Sequence, residues 1–413
     1  MTPADLPPLV VVRALAVGFA IVAFALAPRL RSRAVGAASV VLIAWCPTGL
    51  LPAAVLLLGV ALASELRGPG GVWIGVTTVF AAASLGWGLT ASLAAPLVEG
   101  EGPRPVVEVE ERTAPPTLVE STRTNPSRWS PPAIAAAAAA SLRNRATAGF
   151  FVAGAALLAC WPLSSLWLAG RDEPASLVTL VLTSSAGFCL LARACDIFGG
   201  NPPGQVLSLW VHVAIVSHGV AALLAFAHTT LRVRLVALLL AANGWTVVGF
   251  ASEPTRTLAL LRWSGLAAAA LAAGLLIEGL ARAYRSCDVA DFRGLARVHP
   301  LWSLAVAAAF LLMAGPLPLL DATAARLLAP VPLVSSTLMT VVTLGGGLTL
   351  AVALTTIGRV LFGRLDRPLF DGPQFDGSRP RASAPTRLLG SLETMAVAVL
   401  LGVSVVLSYG LVR

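Results

Sequence analysis

The chain contains no lysine: all 29 of its basic residues are arginine. Lysine is the basic side chain that burial can bring into a titratable range, whereas arginine stays charged, so a relay of buried lysines is excluded. Charge of either sign is scarce, at 12% of the residues, against about 25% in soluble domains. The five cysteines, Cys46, Cys160, Cys189, Cys195 and Cys287, make no CxxC motif and have no metal-ligand spacing with histidine, so they read as buried structural thiols. A Gly-x-Gly-x-x-Gly turn after a strand, a P-loop and an HExxH helix are all missing. No catalytic set, metal site or cofactor is therefore expected.

What the chain does have is apolar length. Hydrophobic residues make up 57% of it, and runs of roughly 20 residues, enough to cross a bilayer, lie near Val10–Ala27, Val72–Leu97, Ala148–Ala169, Ser176–Ala194, Val206–Ala227, Leu235–Ala251, Leu258–Leu280, Pro300–Leu320, Leu333–Gly358 and Leu388–Leu411. The stretch Val35–Leu66, with Glu65 as its only charge and Pro47 and Pro52 inside it, reads as a hairpin. The expectation is an all-α, polytopic integral membrane protein of about 12 transmembrane helices. With that count one face collects Arg29, Arg31, Arg33, Arg67, Arg171, Arg232, Arg234, Arg282, Arg285, Arg293, Arg297, Arg359, Arg364, Arg367, Arg379, Arg381 and Arg387. That face is the cytoplasmic one, which places the protein in the cytoplasmic (inner) membrane with both termini outside. A net charge of +9 carried in short loops sets topology and meets anionic headgroups, so nucleic acid is not an expected partner. Tryptophans near span ends, including Trp73, Trp161, Trp167, Trp263 and Trp302, fit an aromatic belt.

Polar stretches divide the chain into an N-terminal transmembrane group (1–98), a flexible external loop (99–147), a core group (148–362), a cytoplasmic linker (363–387) and a C-terminal transmembrane helix (388–413). The loop is rich in Pro, Glu, Thr and Ser and cannot pack a core; Ala133–Leu142 within it reads as a short interfacial helix.

Few side chains could carry chemistry. Glu278 ends an apolar run and reads either as a carrier carboxylate or as an i to i+4 partner of Arg282. His212 and His218 are six residues apart, an angular step of about 600 degrees, so they do not share a helix face. Both, with His228 at the end of the same run, read as histidines that donate to a neighbouring carbonyl, with a relay role as the alternative. Arg171-Asp172-Glu173-Pro174 falls at a break between helices and reads as a local ion pair or an ion entrance. Asn243 and Thr183-Ser184-Ser185 interrupt apolar helices, for which interhelical hydrogen bonding is the default, and Gly345-Gly346-Gly347 suggests close helix contact.

Asp288, Gly294-Leu295-Ala296-Arg297 and Pro300, followed by an apolar helix and Gly315-Pro316-Leu317-Pro318, keep one spacing without a gap. Pro162-Leu163 with Trp167-Leu168 precedes Ala186-Gly187-Phe188 and Leu190-Leu191-Ala192-Arg193, and Leu231-Arg232-Val233-Arg234-Leu235 leads to Gly244-Trp245. In this order the three stretches, covering about Ala148 to Pro330, resemble the antiporter-like membrane subunits of NADH-quinone oxidoreductase (complex I), Mrp sodium/proton antiporters and membrane-bound hydrogenases. The resemblance implies discontinuous helices near Arg171–Ser185 and Arg262–Gly279. It also implies proton or cation translocation, coupled to quinone reduction or to antiport, within an assembly of other membrane subunits. Glu278, His218, His212, His228, Arg232, Arg234, Asp172 and Glu173 become its ion-pathway candidates. Where the family has two buried lysines, a histidine and a further charged residue, this chain has Leu157 and a Leu or Ala within Leu266–Leu271, Ser164, and Ala325 beside Arg326. Arg232 stands at a lysine position and Thr230 at an aspartate position. Such replacements cannot gain and lose a proton near neutral pH, so the reading is a divergent member with impaired or purely structural conduction. A stand-alone secondary transporter and a polytopic membrane enzyme acting on lipids are the alternatives.

Overall fold

A bilayer offers backbone groups no hydrogen-bond partners, so long apolar runs satisfy their own amides as helices. The computed structural model describes residues 8–30, 33–45, most of 81–94, 131–158, 175–197, 204–249, 253–284, 286–297, 299–314, 336–362 and 390–407. Among these residues the regular elements are helices, and extended backbone pairs only at an isolated antiparallel bridge between Thr230 and Asp288. In chain order they are α1 (Pro8–Leu30), α2 (Arg33–Trp45), α3 (Pro131–Leu157), α4 (Ala175–Ile197), α5 (Gly204–Ala227), α6 (Leu231–Gly249), α7 (Glu253–Tyr284), a 3-10 turn (Leu295–Arg297), α8 (Pro300–Met313), α9 (Ser336–Phe362) and α10 (Ser391–Val405). Further helical residues lie within 81–94.

Six of these helices, α1, α4, α5, α6, α7 and α9, are long and apolar enough to cross a membrane. The protein is an all-α, multi-pass membrane protein. The expected total of about 12 spans includes segments, 46–80 above all, that lie outside the described residues. So does the linker at 363–387.

Two expectations are corrected. Helix α3 runs from Pro131 to Leu157, so 131–147 is helical rather than part of the flexible loop, and the apolar run Ala148–Ala169 lies outside the described residues from 159 onward. Two prolines suit a helix start, the alanine run has the highest helix propensity, and Trp161-Pro162 beyond the end disfavours continuation. Apolarity placed the element; propensity and proline decide its ends. Helix α7 is continuous over 32 residues, without the break expected between Arg262 and Gly279. Its one proline, Pro254, sits in the first turn, where it breaks no hydrogen bond, and Ala267–Ala270 favours helix throughout. At about 1.5 Å per residue α7 reaches some 48 Å, more than the hydrocarbon thickness, so it tilts or projects from the bilayer. Helix α4 is likewise unbroken from Ala175 to Ile197, and the chain is outside the described residues at 159–174.

Helices α4 and α6 form the interior: 94% and 89% of their apolar windows are buried, against 39% for α9. Around them α3 packs on α4, α5 on α6 and α9, α1 on α2, α4 and α7, and α7 on α6, α8 and α10. Large side chains that face outward, such as Ile21, Phe24, Leu209, Leu223, Leu304, Leu354 and Val399, suit lipid contact.

Small residues set the tightest crossings. A Cβ on Gly187 would stand 2.9 Å from Gly154 O, which joins α4 to α3, and one on Gly244 would stand 2.6 Å from Ala214 O, which joins α6 to α5. Gly345 of α9 leaves room for the His218 ring, whose Cδ2 would lie 2.5 Å from an added Cβ, while Gly347 faces open space. Close contact is thus a property of the first glycine of the triplet and not of the third. Gly244→Ala is expected to lower stability by about 1–3 kcal/mol, because backbone must move to admit the methyl group. Gly347→Ala should leave the thermal midpoint in detergent unchanged or slightly raised; equal losses for the two variants would contradict this packing.

Candidate functional site

Polar side chains inside the bundle gather at two levels. The first is midway along α6, where Asn243 is 1% exposed and all of its described contacts are hydrogen bonds to other helices. Its Nδ2 donates to Leu158 O at 3.1 Å and to Ser184 Oγ at 2.8 Å, and its Oδ1 accepts the indole Nε1–H of Trp263 at 2.8 Å. Leu158 O belongs to the end of α3, where the ladder stops and carbonyls need outside donors. One carboxamide therefore joins α3, α4, α6 and α7. Trp263 is fully buried and packs edge-on against Phe188 and Phe19, which corrects its assignment to an aromatic belt. Helix α7 begins at Glu253, so Trp263 stands almost three turns inside it.

His218 occupies the same part of the bundle. It is 6% exposed, its Nδ1 is 2.9 Å from Ala241 O of α6, and its ring lies 5.8 Å from that of Trp245. His212 is on a different side of α5, exposed beside Leu209 and Val216, with Nδ1 2.7 Å from Ser208 O of its own helix. The two histidines do not form one site.

The second level is the arginine-rich end, where the start of α6, the ends of α5, α7 and α9, the 286–299 loop and the start of α10 meet. Arg232 grips Glu278 with both arms, Nε to Oε1 at 2.6 Å and Nη2 to Oε2 at 2.8 Å, with the two side chains only 20% and 15% exposed. The local pairing of Glu278 with Arg282 is thereby corrected. Arg282 donates to the Glu278 backbone carbonyl at 3.3 Å and places its ion pair on Glu393 of α10 at 3.1 Å. Glu393 also accepts Gly390 N–H at 2.9 Å, so one carboxylate caps α10 and holds it to α7. Two-pronged cross-helix pairing is stronger than a solvated i to i+4 contact, which explains why Glu278 reaches to α6. Arg234 donates to His228 O at 2.6 Å and to Thr356 Oγ1 of α9 at 2.9 Å, so His228 contributes its carbonyl here.

The loop after α7 carries the motif that begins at Asp288. Asp288 Oδ1 accepts Ala290 N–H at 3.0 Å, and the bridge to Thr230 is closed by Leu231 N–H to Cys287 O and Val289 N–H to Thr229 O. Gly294 adopts φ 70°, a conformation that other residues resist, and its N–H caps α9 by donating to Arg359 O at 3.1 Å. Leu295 is buried in the 3-10 turn and Pro300 opens α8, where its missing N–H leaves no gap. His299 precedes it, 2.7 Å from the Tyr284 hydroxyl, and desolvation holds its pKa below the ordinary histidine value. Glu393, His299 and Tyr284 carry no sequence signal of their own, since each acquires its role from a distant segment. Arg193 is exposed near the end of α4. Asp172, Glu173, Pro162, Trp167, Gly315 and Pro318 lie outside the described residues. Among the described residues no three His, Cys, Asp or Glu side chains group as a metal site.

No protein-family model and no curated protein matches the sequence. Solved structures do. A chain of respiratory complex I from Thermus thermophilus, with bound NADH, has a TM-score of 0.68 at 19% identity over 98% of this chain and 83% of that chain. A chain of the Mrp complex from Dietzia sp. DQ12-45-1b has a TM-score of 0.60 at 16% identity over 98% of this chain and 80% of that chain. The fold is the one found in these two complexes. The complex I and Mrp fold extends over nearly the whole chain, whereas the motif resemblance stops at about Ala148 to Pro330. The N-terminal group and the last helix, which resemble nothing by motif, belong to the fold as well.

Replacing Asn243 by leucine strands the Trp263 N–H and the Leu158 carbonyl in an apolar interior and should cost about 2 kcal/mol or more. Thr246→Val, which removes a bond to Ala242 O of its own helix, should cost less than about 1 kcal/mol; comparison of unfolding midpoints checks both. Because the folded state depresses the His299 pKa, stability at this junction is whole above the ordinary histidine value of about 6.5 and is lost as pH falls through the folded value. The midpoint of the wild type should drop on acidification below that pH more steeply than that of His299→Gln.

Proposed function

We propose that this protein is a membrane subunit of a larger ion-translocating assembly of the complex I and Mrp kind, set in the cytoplasmic membrane, and that its own part in conduction is weak or purely structural. One observation carries the second half of this reading. Between the arginine-rich end and the Asn243 level, α6 has only Leu235–Ala242, and between Trp263 and Glu278 α7 has Ser264 as its only polar side chain. Each is a gap of more than about 12 Å without an ionisable group, and proton transfer needs groups or waters in hydrogen-bond contact. Glu278, the carboxylate best placed to carry a proton, is closed into a fork with Arg232 that engages both of its oxygens. The fold supports the first half, together with the other membrane subunits that such assemblies contain.

A stand-alone carrier would need Glu278 and His218 in one site. Their partners on α6, Arg232 and Ala241, are nine residues and about 13 Å apart along the helix axis. The geometry thus favours the subunit reading over a carrier, and among the described residues no catalytic pair favours a lipid enzyme. Two measurements test the proposal. Affinity purification from mild detergent should recover other membrane subunits in fixed ratio; recovery of the protein alone would refute assembly. In proteoliposomes under a pH gradient, the isolated protein should dissipate the gradient no faster than protein-free vesicles, and Glu278→Gln should change nothing; fast dissipation abolished by that variant would establish a conducting carboxylate instead.

A further inference from the structure

At the arginine-rich end two guanidinium groups act on each other with no acid paired between them. Arg234 is 5% exposed, and its hydrogen bonds go to neutral acceptors, the His228 carbonyl and the Thr356 hydroxyl. Those bonds use Nε and Nη1, and Nη2 makes none. Charges this deeply buried are ordinarily paired. Asp288 attracts Arg234 electrostatically but forms no ion pair with it among the described residues, and its Oδ1 is taken by Ala290 N–H. Arg359 repels it. Arg359 is exposed, and its side chain makes no hydrogen bond or ion pair among the described residues, although its carbonyl holds Gly294. Thr356, which Arg234 touches, is one turn before Arg359 on the same side of α9. The 3-10 turn that ends in exposed Arg297 packs on α9 at the same place.

The depth of the pair is informative. Arg234 is three residues into the apolar window Leu231–Gly249, and Arg359 is three residues from the end of the window Thr343–Phe362. Each therefore stands within about one turn of the end of its apolar segment, where a long guanidinium side chain can meet the phosphates and glycerol esters of a bilayer. An oxyanion there would accept from Nη2 of Arg234 and from the free fork of Arg359, in the bidentate geometry that guanidinium offers to phosphate. It would also cancel the repulsion between them.

We propose that Arg234 and Arg359 form a phosphate-binding site that takes the headgroup of an anionic phospholipid at the arginine-rich end of the bundle, with Arg297 at its rim. The bound phosphate ties the start of α6 to the end of α9. The recognised chemistry is the phosphate oxyanion, so the test separates lipid-borne from free phosphate. The full-length protein in neutral detergent is titrated with phosphatidylglycerol, phosphatidylcholine or inorganic phosphate, with the thermal midpoint and lipid retention in native mass spectrometry as readouts. Phosphatidylglycerol should raise the midpoint and phosphatidylcholine should not. A response to inorganic phosphate as large as that to phosphatidylglycerol would assign the site to free phosphate; no response to it would assign the site to the headgroup. Arg359→Gln should weaken the apparent affinity roughly tenfold, the worth of a lost charged hydrogen bond, and should leave the lipid-free midpoint in place. Arg282→Gln, at the same end but paired with Glu393, should keep the lipid response. The proposal is overturned if phosphatidylcholine stabilises as well as phosphatidylglycerol, if no phosphate compound raises the midpoint, or if Arg359→Gln retains the full lipid shift.

Discussion

The Asn243 carboxamide is the interaction on which the interior depends. Helix α3 ends inside the bundle, and the Leu158 carbonyl there accepts from Asn243 of another helix. Water is not at hand at such depth, so a side chain from another helix must supply the proton. Asn243 does so and is itself held by Ser184 and Trp263. With four helices joined at one amide, the apolar surfaces around it, Leu180, Leu238, Leu239 and Ala267 among them, can pack without leaving the Leu158 carbonyl or the Trp263 N–H unpaired.

Charge is organised by the choice of arginine. A guanidinium cannot shed its proton to enter the apolar interior, so the arginines of α6 stay within one turn of its end and spend their donors on carboxylates, carbonyls and hydroxyls. Arg232 with Glu278 and Arg282 with Glu393 bind α7 to α6 on one side and to α10 on the other. Gly294 closes α9 from the neighbouring loop. The junction thus holds the ends of several helices while the middle of each carries no carboxylate or guanidinium.

The all-helical membrane fold was legible in composition and run length, and six of the expected runs appear as helices long enough to span. The resemblance of the Asp288 to Pro300 loop to complex I and Mrp subunits agrees with a fold shared over nearly the whole chain. Interhelical bonding by Asn243 and Ser184 was also legible, whereas Thr183 and Ser185 beside Ser184 bond back to Leu180 and Val181 of their own helix. Partner choice was not. Glu278 pairs 46 residues back with Arg232 rather than four ahead with Arg282, and Trp263 left the expected belt for the core. The ends of α3 and the continuity of α7 depended on proline placement and alanine propensity, which hydropathy does not register.

By itself the sequence determined what is set by transfer from water: a weakly charged chain with apolar runs of roughly 20 residues satisfies its backbone as helices in a bilayer. Tertiary structure alone decided which polar groups meet. Hydrogen bonds and ion pairs act over about 3 Å, and segments far apart in the chain reach that distance only after the helices have packed. Glu393, His299 and the Arg234–Arg359 pair therefore acquire their meaning only in the folded bundle.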